Sequence, residues 1–259
     1  MPSETQANSA SKVAIVTGGS RGLGRNTAIN LARRGVNVIF TYRANRAEAE
    51  IAVSEIRSLG VQAIALQLDT GRVADFEAFV GKVRDALQGL GKTRFDYLVN
   101  NAGSSYHATI AETTEEAFDE LVNVHLKGVF FLTQKLLPLM ADDGRIINVS
   151  SGLARFAVPG ISAYASMKGA IEVFTRYLAK ELGPRRITAN TVAPGAVQTD
   201  FSGGVVRDNP TYNKMVSDTT ALGRPGLPDD LGPMIASLLS DDNRWVNGQR
   251  IEVSGGANL

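Results

Sequence analysis

The sequence predicts a single doubly wound α/β domain, one parallel sheet with helices on both faces, and three observations carry that prediction. Short β-branched runs recur along the chain, separated by stretches of helical period. The first run leads straight into the glycine-rich "TGGSRGLG", where a helical pattern begins. The 259 residues are 44% apolar and 20% charged and include 26 glycines, a balance that suits one large core with tight strand-to-helix turns.

The first strand is "VAIVT" from Val13, followed by "VNVIFTY" from Val36, "VQAIALQL" from Val61, "FDYLVN" from Phe95 and "RIINVS" from Arg145. Such runs belong to parallel strands buried on both faces. Helical periods fill residues 23–34, 46–59, 73–87, 114 to about 140, and 162–182. "ITANTVAP" from Ile187 and "QRIEVSGG" from Gln249 complete a seven-stranded sheet. Between these two strands, residues 196–226 show no clear period and hold at most a short helix or two. A break of that length inside a compact domain reads as a lid over a site. The polar residues 1–11 read as a flexible arm, leaving 12–259 as the domain.

Composition removes several function classes. The net charge is +1 with basic residues spread along the chain, so there is no electrostatic footprint for nucleic acid or an anionic membrane. No stretch approaches a membrane span, and the polar start lacks a signal-peptide core, so a soluble cytoplasmic protein is expected. There is no cysteine, and the two histidines, His107 and His125, cannot build a metal cluster, so no metal is expected.

The glycine loop, Thr17 to Gly24, lets the backbone approach a pyrophosphate at the start of the following helix, whose free N–H groups and dipole favour an anion. Its place after the first strand makes it a dinucleotide site. The second strand ends in "FTYRANR" with no carboxylate before Glu48 to hold a free ribose 2′-OH. Arg21 and Arg43 can instead flank a 2′-phosphate, which predicts NADP(H). Asp69, ending "LQLD", can accept from the adenine amine, and "VNNAG" ends the fourth strand at the carboxyl edge, where ligands of open sheets bind.

Tyr164 and Lys168 lie four apart on a helix and share a face. A free phenol has a pKa near ~10, and an adjacent cation is expected to lower it toward useful acid/base chemistry. Ser151, at the end of the fifth strand, can donate to a carbonyl oxygen that gains charge, whereas Ser150 faces the other way in an extended strand.

Taken in order, "TGGSRGLG", "NNAG", Asn123 in "LVNVHLKG", Ser151, "YASMK" and "APGAVQTD" resemble the short-chain dehydrogenase/reductase family, from Lys12 to the last residue. The resemblance implies a Rossmann fold and a tetrad of Asn123, Ser151, Tyr164 and Lys168. In it, Tyr164 is the proton donor, Ser151 orients the carbonyl, Lys168 also holds the nicotinamide ribose and Asn123 fixes a water. Cofactor contacts follow at Gly18, Ser20, Arg21, Gly22, Leu23, Gly24, Tyr42, Arg43, Asp69, Thr70, Asn101, Ala102 and Gly103, and at Pro194, Gly195, Val197 and Thr199 around the nicotinamide. The "WVNGQRIEVSGG" ending resembles members that form homotetramers.

The implied activity is NADPH-dependent reduction of a ketone or β-keto group to a secondary alcohol, or the reverse. One alternative is a 3-oxoacyl carrier-protein reductase, with Arg185 and Arg186 meeting an acidic carrier unless Asp142 and Asp143, expected at the end of the long helix, share their rim. Another, from a different class, is a catalytically silent NADP(H)-binding regulator, which has no need of the tetrad. The substrate pocket is expected between residues 104–107, 153–158 and the lid, with Tyr106, Phe156 and Phe201 as apolar walls. His107 is expected to face water and His125 to be structural.

Overall fold

A computed structural model describes residues 11–259. The expected arm therefore lies outside the described residues except for Ser11, whose hydroxyl accepts from Asn37 Nδ2 at 2.9 Å. Strands β1 (Val13–Val16), β2 (Asn37–Tyr42), β3 (Ala63–Gln67), β4 (Phe95–Asn100), β5 (Met140–Val149), β6 (Thr188–Pro194) and β7 (Arg250–Val253) form one sheet in the order β3-β2-β1-β4-β5-β6-β7. All pairings are parallel.

Each inner strand feeds two cores. Ala14 and Val16 face one, together with Val38, Phe40 and Val99; Val13 and Ile15 face the other, with Ile39, Leu98 and Ile146. The first core is closed by α1 (Gly22–Ala32), α2 (Arg46–Ser58) and α9 (Pro228–Leu238), the second by α3 (Phe76–Gly89), α5 (Gly128–Leu136) and α6 (Ser162–Glu181). With both faces covered, neither can be polar, which explains the unbroken apolar runs. Chain direction across the sheet reverses between β1 and β4, and the crevice outside their carboxyl ends is where such a fold takes a ligand.

The helix expected over 114–140 is divided. α4 (Glu115–Val122) passes into a π-helical turn, Asn123–Lys127, then into α5 and a 3-10 turn at Leu137–Leu139. Gly128 N–H reaches back five residues to Asn123 O. This widening lets the helix lie against the loop after β3: a Cβ on Gly128 would collide with Thr70 O and come within 2.7 Å of Asn123 O. Asp142 and Asp143 do not end a helix as expected. They belong to the first part of β5, where residues 141–144 bulge between the pairs Phe95–Met140 and Tyr97–Arg145, and Asp143 takes a φ of 60°.

The segment 196–226 holds a 3-10 turn, Phe201–Gly204, and two short helices, α7 (Val205–Asp208) and α8 (Pro210–Asp218). Its base is closed by a bridge between Val197 and Gly226. Farther on, Ala221 and Leu222 N–H donate to Gly256 O and Gly255 O, so the end of the lid rests on the C-terminal tail.

Candidate active site

The glycine loop is braced from the neighbouring strand end. Thr17 Oγ1 accepts from the N–H groups of Asn101 (2.9 Å) and Ala102 (3.0 Å), and Asn101 Nδ2 donates back to Thr17 O at 2.9 Å. The Asn101 amide is thus occupied by the loop, and what it offers a ligand is backbone. Gly18 has a φ of +67°, and a Cβ on Gly24 would meet Asn101 Nδ2 at 2.5 Å. Ser20 is buried in the loop and Leu23 packs against the first core. Helix α1 starts at Gly22 with no side-chain cap, with exposed Arg21 at its N-cap. This is a backbone cradle at a helix N-terminus, and it fits a pyrophosphate. Thr199, at the base of the lid, lies beside Gly22, and a cavity of about 300 Å³ opens here, bordered also by Arg25, Asp200 and Arg207.

A second cavity, about 350 Å³, is bordered by Arg43, Asp69, Gly71, Asn123 and Val124. Asp69 Oδ1 accepts from Gly71 N–H at 3.0 Å, and its other oxygen lies 3.3 Å from Arg43 Nε. Arg43 is 67% exposed, so this pairing is weak and leaves the guanidinium free to turn onto an anion beyond Tyr42. Thr70 follows, its carbonyl against Gly128.

Tyr164 lines neither cavity. Its ring is buried among Leu121, Ala163 and Met167, with Tyr106 and Leu153 packed alongside. Phe201 approaches from the lid at 6.1 Å and His125 meets it edge-on at 5.2 Å between ring centroids. Lys168 Nζ donates to Val149 O at 2.8 Å and lies 5.4 Å from the Tyr164 ring centroid. Burial lowers the Lys168 pKa to about 8. Burial also raises the Tyr164 phenol well above its ordinary range, opposed by a hydrogen bond with the Ser151 side chain. This corrects the expected lowering by Lys168: desolvation of the phenolate dominates and keeps the phenol protonated.

Ser151 is extended (φ −159°, ψ 151°) just after β5, and its Oγ accepts from Leu153 N–H at 3.2 Å. Ser150 points the opposite way, onto Glu172 of α6 at 2.8 Å, as alternation along a strand requires. Asn123 opens the π-helical turn, and Gly103 lies against His125, where a Cβ would come within 2.7 Å of the ring. His125 Nε2 is 2.8 Å from Ser104 O and 3.2 Å from Ser104 N. The shorter contact makes Nε2–H the donor and leaves buried Nδ1 without a partner among the described residues. Burial, then nearby Lys168, drops this histidine to about 3, so it is neutral. His107 is exposed, as expected.

Of the residues expected around a nicotinamide, Pro194 ends β6, Gly195 N–H donates to Val253 O at 3.1 Å, and Val197 lies in the lid-base bridge. Sequence reading missed Arg207 and the contacts of His125 and Glu172. Only Glu172 carried a signal, since it lies one further turn along the face of Tyr164 and Lys168.

A family model described as enoyl-(acyl carrier protein) reductase matches residues 18–258, nearly the whole described chain. This chain is a short-chain dehydrogenase/reductase. Similar to it is a tetrahydroxynaphthalene reductase of Pestalotiopsis fici, 36% identical over 95% of this chain and 91% of that protein. Two solved structures are also similar. One is LugOII, a promiscuous reductase catalysing keto-reduction at C1 during lugdunomycin biosynthesis (TM-score 0.91, 38% identity, 96% of this chain and 98% of that one). The other is the landomycin C-6 ketoreductase LanV with bound NADP and rabelomycin (TM-score 0.88, 36% identity, 97% and 98%). In this short-chain dehydrogenase/reductase the two arginines offered to an acidic carrier are already engaged: Arg185 Nε donates to Asp142 at 2.8 Å, and Arg186 grips Asp143 at 2.7 and 2.8 Å. They stand just before β6, at the amino edge of the sheet, opposite the glycine loop.

Proposed function

We propose that the enzyme uses NADPH to reduce a ketone on a fused-ring aromatic substrate to a secondary alcohol. The observation that carries this reading is the Tyr164 phenol, buried, kept protonated and bonded to Ser151 beside a lysine ammonium. The relatives named for hydroxynaphthalene and landomycin-type ketones support the substrate class. So do the aromatic walls, Tyr106 packed at Tyr164 and Phe201 facing it from the lid.

When bound, NADPH would supply the hydride that the carbonyl carbon receives. The glycine loop and the start of α1 would hold its pyrophosphate, Arg21 and Arg43 its 2′-phosphate, Asp69 and Thr70 the adenosine, and Val197 and Thr199 the nicotinamide end. Ser151 donates to the carbonyl oxygen and stabilises charge as it develops there. Tyr164 gives that oxygen its proton, a role for which a protonated phenol is the required state. The Lys168 ammonium supports the resulting phenolate, and Asn123 orders the water that restores the proton. Asn101, Ala102 and Gly103 shape the floor through their backbone.

The same reading includes a cytoplasmic protein and a homotetramer, the assembly supported by the exposed apolar side chains Phe130, Val173, Tyr177 and Trp245. Among the described residues no helix is long and apolar enough to cross a membrane. The test is NADPH consumption against hydroxynaphthalenones, polycyclic aryl ketones and a β-ketoacyl thioester, each repeated with NADH. Fastest turnover is expected on a polycyclic ketone, with NADPH preferred over NADH and that preference reduced in R21A/R43A. Preference for the thioester would overturn the substrate class. Tight NADPH binding with no turnover of any ketone would favour the silent regulator.

A further inference from the structure

The loop that carries Ser151 is gripped from the last strand. Arg250, the first residue of β7, donates through Nε to Glu172 Oε1 (2.8 Å), through Nη1 to Glu252 Oε2 (2.8 Å) and through Nη2 to Ser151 O (3.4 Å). Glu172 Oε1 also accepts from Ser150 Oγ at 2.8 Å, and that hydroxyl lies 3.3 Å from Lys168 O. At the other end of the loop, Arg155 holds both oxygens of Glu252 at 2.8 Å and reaches Ala257 O at 2.7 Å. Residues 150–155 are therefore fixed at both ends by one chain of charges.

Three features suit this chain to positioning rather than to stability alone. Its central groups are largely withdrawn from water, with side-chain exposures of 14% for Glu172, 24% for Arg250 and 20% for Glu252, so solvent screens them less than a surface pair. Tyr164, Lys168 and Glu172 follow at intervals of four on α6, so the proton donor and the anchor share one rigid helix face. The anchor also acts on both neighbours of the Ser151 side chain, its own carbonyl through Arg250 and the preceding hydroxyl through Glu172.

We propose that Glu172 and Arg250 are positioning residues that set the Ser151 hydroxyl against the Tyr164 phenol. The proposal rests on the reading of Ser151 as the group that orients the carbonyl. The experiment compares E172A, E172Q, R250M, R250K and the double variant E172A/R250M with S151A, measuring kcat and KM on the best ketone and NADPH Kd by fluorescence. E172A and R250M are each expected to lower kcat about 10- to 100-fold, the scale of an ångström-size misplacement. NADPH Kd should stay within about twofold, and the double variant should lose no more than the worse single one, because both cut the same clamp. E172Q should keep most of the rate, since its amide oxygen still accepts both bonds. R250K should not, because an ammonium cannot span Glu172, Glu252 and Ser151 O; this variant decides the matter if E172A fails to fold. If S151A turns over like wild type, the reading of the serine is wrong. If S151A is crippled while E172A and R250M bind NADPH normally and keep wild-type kcat, or if their losses multiply in the double variant, the clamp is wrong.

Discussion

At the scale of single residues, the site depends on which charges burial permits. Burial keeps the Tyr164 phenol protonated and lowers the Lys168 pKa to about 8. Replacing Tyr164 with Phe removes the proton donor and little volume, so turnover should fall by about a thousandfold or more, within the range of general acid catalysis. NADPH Kd should change by less than about threefold, because the phenol is one contact in a long site; surviving turnover in Y164F would reassign the donor. The lysine makes a separate prediction. Reduction needs its charged form, whose fraction falls as pH rises through about 8, so kcat/KM should decline on the alkaline side of that value. K168R, whose guanidinium stays charged, should move that limb to higher pH at a lower plateau. A kcat/KM profile that is flat to pH 10 in wild type would show that the lysine charge is not required. The spacing of Tyr164, Lys168 and Ser151 was legible in the sequence, but the direction of the tyrosine shift was not. Spacing tells which groups are neighbours; desolvation depends on everything packed around them, including Phe201, 37 residues away along the chain.

At the scale of elements, the strands could be read because two cores demand apolar side chains at successive positions, as Val13 to Val16 illustrate. The division of the long helix could not. A single π-helical turn barely disturbs the 3.6 period, so residues 114–140 read as unbroken while the backbone widens at Asn123. Nor could the place of Asp142 and Asp143, since a bulge inside β5 has no periodic signature. The widened turn is itself testable through Gly128. In an ordinary helix G128A would gain about 1 kcal/mol from propensity. Here the added methyl would strike Thr70 O and press on Asn123 O, both backbone, so a net loss of about 1–3 kcal/mol is expected from overpacking. Urea unfolding measures the sign. A stabilised G128A would mean that the helix does not lie so close to the loop after β3.

At the scale of the whole molecule, the sheet order follows from strands and crossovers that the sequence displays in turn, whereas the links that tie the ends of the chain to the site are long-range. Arg250 and Glu172 meet across 78 residues, and although Glu172 shares the helix face of Tyr164 and Lys168, nothing in either segment shows that the two side chains meet. The proposed homotetramer belongs to the same scale. Phe130, Val173 and the 63%-exposed Tyr177 leave apolar surface on α5 and α6, and Trp245, 96% exposed, stands a few residues before the edge strand β7. A homotetramer of dihedral symmetry would use two self-complementary faces, one on α5 and α6 and one beside β7 in this proposal, and losing either one would leave a dimer. V173E/Y177E and W245E should therefore each run as dimers by light scattering, and the triple variant as a monomer. The two dimers should differ in catalysis, since W245E disturbs the face next to the strand that holds Arg250 and Glu252, and so should lower kcat more than V173E/Y177E does. Wild type running as a monomer would overturn the tetramer, and equal kcat in the two dimers would separate the assembly from the site.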